Sequence, residues 1–295
     1  MGVPNPRRLR SLLFPSMVEG GDGGATSAGP QSFTMRIALG LEYDGASFHG
    51  WQSQADGSGV QDAVERAVST IAGERVATIA AGRTDSGVHA TLQVAHFDTD
   101  ALRPETAWVR GVNALLPATV AVRWAVGVAD DFHARRKATG RYYTYLLLDH
   151  PVRSALLQSR IGWYHRPLAL HAMHEAAQAL LGTHDFSAFR AAECQARSPV
   201  KTLDRFEIAR EGDMFRFELH ADAFLHHMVR NIIGTLVYVG CGRQPAAWVA
   251  NVLASRDRAL AAPTFAAAGL YLTGVDYATH WNLPATRAPV RVFGP

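Results

Sequence analysis

The sequence predicts an α+β fold: two similar mixed α/β halves with mainly antiparallel sheets and a cleft between the halves. Three observations predict it. Apolar residues recur with the period of two of half-buried strands in some segments and with helical period in others, and the two kinds are mixed along the chain. Several strands are close enough in sequence to be hairpin-linked, as across Glu211-Gly212-Asp213. The rhythm of elements in the first half returns in the second, which suggests a pseudo-repeat.

The elements follow in order. Ile37, Leu39, Leu41 and Tyr43 alternate as a strand does, and Asp44-Gly45 ends it. After a polar loop, Val60, Ala63, Val64, Ala67, Val68 and Ile71 mark one face of a helix that Gly73 stops. Strands are expected over 76–81, 92–99 and 120–128, with a two-glycine loop at 82–90 and a short helix over 106–115 after Pro104. In the second half, a tyrosine-rich strand spans 141–148 and an alanine-rich helix spans 170–181. Paired strands run over 200–210 and 214–220, helices over 224–239 and 245–253, and a closing strand over 269–277. The domain organisation that results is a disordered tail at 1–33, an N-terminal half at 34–140, a C-terminal half at 141–281 and a C-terminal tail at 282–295.

Composition narrows the class. Of 295 residues, 48% are hydrophobic, enough for a sizeable core and too many for a disordered chain. No apolar run reaches the roughly 20 residues of a membrane helix. The longest candidate, 224–239, is interrupted by His226, His227, Arg230 and Asn231 and reads as a buried or cleft-lining helix. The net charge of +3 is compatible with a polyanionic partner without requiring one. The basic excess is almost all arginine, lysine occurring only at Lys137 and Lys201. Two cysteines, Cys194 and Cys241, form no CxxC pair, so neither a zinc ribbon nor a disulfide framework is expected, and a reducing cytoplasm is the natural compartment. Arg7, Arg8 and Arg10 before Leu12 only faintly resemble a signal peptide, because Pro15 breaks the short apolar run. Of the thirteen histidines, His171 and His174 share a helix face without a third ligand. His226 and His227, taken as neighbours on a helix, point about 100° apart. No metal is expected.

The segment with most chemistry in it is Ala81-Gly82-Arg83-Thr84-Asp85-Ser86-Gly87-Val88-His89-Ala90, a polar loop between two apolar strands. Its glycines permit a tight turn or a close ligand approach. Asp85 can stay ionised if a guanidinium lies nearby. By composition alone, a turn aspartate bonding its own backbone is the plainer reading. Arg230, on an apolar helix, needs an acid partner if it is buried. Tyr143 lies on the tyrosine-rich strand, and Arg135, Arg136, Lys137 and Arg141 cluster just before it as a basic patch that suits a polyanion.

This decamer resembles the signature of the tRNA pseudouridine synthase A family. Further stretches match in the same order: Leu41-Glu42-Tyr43-Asp44-Gly45, Phe48-His49-Gly50-Trp51-Gln52, Arg110-Gly111-Val112-Asn113-Ala114-Leu115-Leu116-Pro117, Asp131-Phe132-His133-Ala134-Arg135, Tyr143-Thr144-Tyr145 and Phe224-Leu225-His226-His227-Met228-Val229-Arg230-Asn231-Ile232-Ile233-Gly234. The resemblance covers roughly residues 35–280 and implies a pseudouridine synthase fold. It also implies a cofactor-free isomerase that converts uridine to pseudouridine at positions 38, 39 and 40 in the anticodon arm of tRNA. Asp85 would be the nucleophile and Arg230 its charge partner. Tyr143 would be the aromatic that stacks on the extruded uracil and takes or relays the C5 proton, and Arg83 the residue that displaces the target nucleotide. A homodimer touching one tRNA with both subunits, a cytoplasmic location and no membrane partner are implied as well. The chemistry is consistent with one acid: the C1′–N1 bond must break and the base rejoin through C5, which a carboxylate can drive from C6 or C1′. Two rivals remain at this stage. A carboxylate-dependent nucleosidase usually needs two facing carboxylates, and only Asp85 is conspicuous; a non-catalytic RNA-binding protein would not need Asp85 at all.

Overall fold

The computed structural model describes residues 34–290; the expected tail at 1–33 and the last five residues of that at 282–295 lie outside the described residues. The strands are β1 (Met35–Tyr43), β2 (Ile79–Ala80), β3 (His89–Thr99), β4 (Val120–Val128), β5 (Ala138–Asp149), β6 (Gly162–Tyr164), β7 (Gly182–Asp185), β8 (Val200–Glu211), β9 (Met214–Ala221) and β10 (Leu270–Tyr277). The helices are α1 (Val60–Ala72), α2 (Val112–Leu115), α3 (Leu170–Gln178), α4 (Met228–Gly240) and α5 (Trp248–Ser255), with a π-helical segment Ala107–Gly111 leading into α2. One sheet holds every strand in the order β4-β1-β3-β10-β5-β9-β8-β7, with β2 on β3 and β6 on β5. All pairs are antiparallel except β10 with β3 and β5 with β6, so the α+β expectation with mainly antiparallel sheet holds.

The two largest apolar cores among the described residues lie against this sheet. In the first, the buried α1 stripe of Val60, Val64, Ala67 and Val68 packs on Ile37, Leu39, Leu41 and Tyr43 of β1, with Trp51, Phe97 and Trp108 filling the rest. Each fully buried aliphatic or aromatic side chain contributes about 1.5–3 kcal/mol. Gly73 ends α1 in the left-handed conformation and returns its N–H to Ser69 O. In the second, α3, α4 and α5 cover Tyr145 and Leu147 of β5 and Phe215, Phe217 and Leu219 of β9. The central strand β10 gives Leu272 to the first core and Leu270 to the second, and Tyr143 packs against both. The halves therefore share one sheet, and residue 140, where the expected boundary lay, falls inside β5. After β10 the chain doubles back: Thr286 O and Ala288 N–H bond to Val275 N–H and Thr273 O, and Trp124 Nε1 donates to Ala285 O (3.0 Å).

Four elements differ most from expectation. The strand expected over 76–81 is reduced to Ile79–Ala80 because upstream backbone groups bond to α1 side chains: Val76 N–H to Ser69 Oγ (2.9 Å) and Thr78 N–H to Glu65 Oε1 (2.7 Å). The short strands β6 and β7 have no clear alternation in sequence. Helix α4 begins at Met228, four residues later than its apolar pattern, because the preceding backbone is engaged elsewhere: His226 O accepts from Ala191 N–H (3.0 Å) and His226 N–H points at Cys194 Sγ (3.4 Å).

Candidate active site

Asp85 lies in the loop between β2 and β3, at the seam of the two cores. Val88 N–H closes a turn onto Asp85 O (3.1 Å), and Gly87 at φ +75° takes the positive φ that the third position of a type II turn demands. The preceding residue is anchored on both sides: Thr84 Oγ1 pairs with the buried Tyr43 hydroxyl (2.8 Å), and Thr84 O accepts Trp51 N–H (3.0 Å). This contact requires glycine at position 50, which has φ +89°; a Cβ there would sit 2.7 Å from Thr84 O.

The other side of the site comes from the start of α4. Arg230 Nη1 donates to Asp85 Oδ2 (3.1 Å), while Arg230 Nε donates to Phe265 O (2.9 Å). Both side chains are nearly buried, 16% and 17% exposed. The close approach that lets Arg230 reach Phe265 depends on Gly234, one turn on, where a Cβ would meet Pro263 O at 2.3 Å. His226 Nε2 lies 3.3 Å from Asp85 Oδ1 and His227 Nε2 lies 3.5 Å from Oδ2. His227 adopts φ 63°, ψ 0° without a side-chain capping bond. That conformation costs a residue with a Cβ on the order of 1–2 kcal/mol.

Burial is the largest influence on the Asp85 carboxyl and pushes it up. His226, His227 and Arg230 together outweigh it and hold the carboxyl below its ordinary 3.8. The contact with Asp85 raises His226 above the usual imidazole value, whereas burial lowers His227. Burial, then Tyr43 and Asp85, pushes the Tyr143 phenol far up, so it stays neutral. Tyr143 meets Phe224 edge-on (4.9 Å between centroids). It lines one recess with Thr84, Asp85, Val88, Leu225, His227 and Met228. That recess measures about 30 Å³, room for on the order of one water, so a nucleobase enters only as the lining parts. A larger hollow of about 1080 Å³, bordered by Glu42, Asp44, Arg123, Trp124 and Arg160, contains none of the Asp85 cluster. Volume is the weaker guide here, since the converging charged groups are at Asp85.

Of the residues singled out in sequence, Asp85, Tyr143 and Arg230 converge. Arg83 is exposed beside them and reaches across the seam to Gln195 Oε1 (3.1 Å). Arg135 lies near enough for Arg83 and Arg141, after burial, to lower its guanidinium. Arg141 is not free for RNA: its guanidinium donates to Asp222 O (2.7 Å), Ala81 O (3.1 Å) and Arg135 O (3.2 Å), bracing the root of the Asp85 loop. Lys137 pairs with Asp131 (3.3 Å). The patch thus reduces to Arg135 and Arg136, with Arg83 close to Arg135. Sequence reasoning missed His226 and His227 beside Asp85. They are not successive helix residues, and the turn at His227 brings both rings onto one carboxylate. The three could approach one cation, but Arg230 already occupies Oδ2 with a positive charge, so the donor set does not fit a metal.

A family model described as tRNA pseudouridine synthase matches residues 41–135 and 176–278, which include Asp85, His226, His227 and Arg230. A protein of Dechloromonas aromatica named tRNA pseudouridine synthase A is 61% identical over 250 residues, 85% of this chain and 95% of that protein. One of Chromobacterium violaceum with the same name is 62% identical over 252 residues, 85% and 96% of the two chains. With nearly the full length of such relatives covered at this identity, the chain belongs to the tRNA pseudouridine synthase family.

Proposed function

We propose that the protein isomerises uridine to pseudouridine at positions 38, 39 and 40 in the anticodon arm of tRNA, with Asp85 as the nucleophile. The observation that carries this reading is the Asp85–Arg230 pair at 3.1 Å, with Asp85 on the wall of a recess that Tyr143 also lines. A nearly buried carboxylate held ionised by a guanidinium is a nucleophile that needs no metal or general base to become active. Arg230 keeps the charge, Tyr143 offers a face for the everted uracil, and Arg83 fills or widens the gap left in the RNA. Base extrusion is required because the C1′ and C6 atoms are out of reach inside a stacked stem. Arg83, Arg135 and Arg136 provide phosphate contacts, which position the RNA without reading its sequence.

A dimer in which one tRNA spans both subunits extends this basic surface, and the cytoplasm is where unmodified tRNA and reduced Cys194 and Cys241 coexist. Among the described residues no helix is long and apolar enough to cross a membrane.

The test is turnover of unmodified tRNA. Asp85→Asn abolishes pseudouridine formation while tRNA binding stays within about tenfold, since phosphate contacts supply most of the affinity. Near-normal turnover in that variant, or release of free uracil by the wild type, defeats the proposal. Mapping pseudouridine in a strain lacking the protein locates the positions.

A further inference from the structure

Isomerisation has a proton problem that Asp85 and Arg230 do not solve. Once C5 has joined C1′, the ring carries a C5–H bond that must break, and a base must accept that proton. Tyr143 brings a hydroxyl to the same recess, but a phenol that burial and the Asp85 charge keep firmly protonated is a poor acceptor.

We propose that His227 is a catalytic residue of this reaction, the base that removes the C5 proton. This rests on the reading of Asp85 as the nucleophile. Three observations support it. His227 lines the same recess as Asp85 and Tyr143, and Nε2 is turned towards the carboxylate. At 3.5 Å from Oδ2, Nε2 makes no close hydrogen bond to the carboxylate, so the neutral ring is free to present an unprotonated Nε2 to a uracil that enters the recess. His227 holds a left-handed backbone conformation that forms no capping bond with its side chain. Strain of that kind persists where surrounding structure enforces it, and it aims the ring into the recess rather than along the helix.

The charged groups around His227 are Asp85, His226, Arg230 and, farther off, Glu193. Burial, His226 and Arg230 favour the neutral ring that a base must be, while Asp85 stabilises the imidazolium that forms. Timing makes use of both. After C1′ is transferred from Asp85 to C5, Asp85 is again a free carboxylate. The C5–H bond then breaks and its proton goes to His227 Nε2. The electron pair forms C5=C6, the C6=N1 pair moves onto N1, and N1 takes a proton from water. The imidazolium, paired with Asp85, returns its proton to solvent.

His227→Asn is the informative variant, because asparagine tolerates the left-handed conformation and so keeps the turn. Two full-length tRNA transcripts are compared, one with ordinary uridine and one with 5-fluorouridine, whose C5 has no proton to lose. Pseudouridine formation should fall by about 100-fold or more, with a C5-deuterium isotope effect appearing. Rearrangement of the fluorinated transcript should stay within about threefold of wild type. A parallel loss on both transcripts overturns the proposal, since His227 then only holds the site together. So does turnover on uridine within about threefold of wild type, or a selective loss in Tyr143→Phe in place of His227→Asn. Asp85→Asn separates the two readings: it should lose both reactions, and if it retains them the nucleophile assignment fails independently of His227.

Discussion

The two segments that meet at Asp85 are built differently. The loop after β2 is an unstrained turn, with positive φ placed on Gly87, and it is tied to Tyr43 and Trp51 and packed against Gly50, whose own positive φ allows the approach. The start of α4 brings His226, His227 and Arg230 against the carboxylate through a residue with a Cβ in the left-handed region, just before a largely apolar helix. The first segment fixes where the nucleophile is; the second fixes its charge and what stands over it. Placement and activation therefore come from different halves of the chain and can be broken separately.

The largest effect should come from breaking the activating side. Arg230→Met leaves Asp85 buried without its guanidinium, so the carboxyl rises from its lowered value. The acid limb of the pH–kcat profile moves to higher pH, and kcat falls by about 100-fold or more. Removing one partner of a buried pair costs about 3–5 kcal/mol of stability, reduced by whatever His226 supplies. An acid limb that does not move in Arg230→Met would mean that the guanidinium does not hold Asp85 ionised.

Breaking the placing side should act mainly on the fold. Gly50→Ala forces a positive φ on a residue with a Cβ and drives that Cβ towards Thr84 O. The expected loss is about 1–3 kcal/mol, several degrees in Tm, with the pH profile keeping its shape because the charges around Asp85 are intact. A displaced acid limb in Gly50→Ala would show that placement and activation are not separable.

How much of this was legible in sequence follows the same division. The Asp85 loop could be read because local chemistry specifies it: glycines at the turn and apolar strands on both sides. Arg230 was expected to need an acid because a guanidinium on an apolar helix is costly alone. The histidines were not legible, since the pattern of 224–239 continues as one helix and the turn is set by Ala191 and Cys194, more than thirty residues upstream. Arg141 was misplaced for a related reason. Nothing near it in sequence indicates that Ala81 O and Asp222 O would claim its guanidinium. The shortened β2 likewise depends on Ser69 and Glu65, side chains on the facing helix.

The smallest effect tests whether His226 belongs to the activating side. Its folded pKa is raised above 6.5 by Asp85. The stabilisation it provides is therefore fully present below 6.5 and is lost as pH rises through the folded value. Asp85 runs the other way: its stabilisation is present above 3.8 and is lost only as pH falls through a still lower folded value, so it stays constant through neutrality. In His226→Gln the stability deficit relative to wild type should be largest near pH 5–6 and shrink as pH climbs, measured by urea unfolding across a pH series. Arg230 still pairs with Asp85 in that variant, so turnover should fall less than in Arg230→Met. A deficit that grew with pH would mean that His226 is neutral in the fold, leaving Arg230 as the carboxylate's cation.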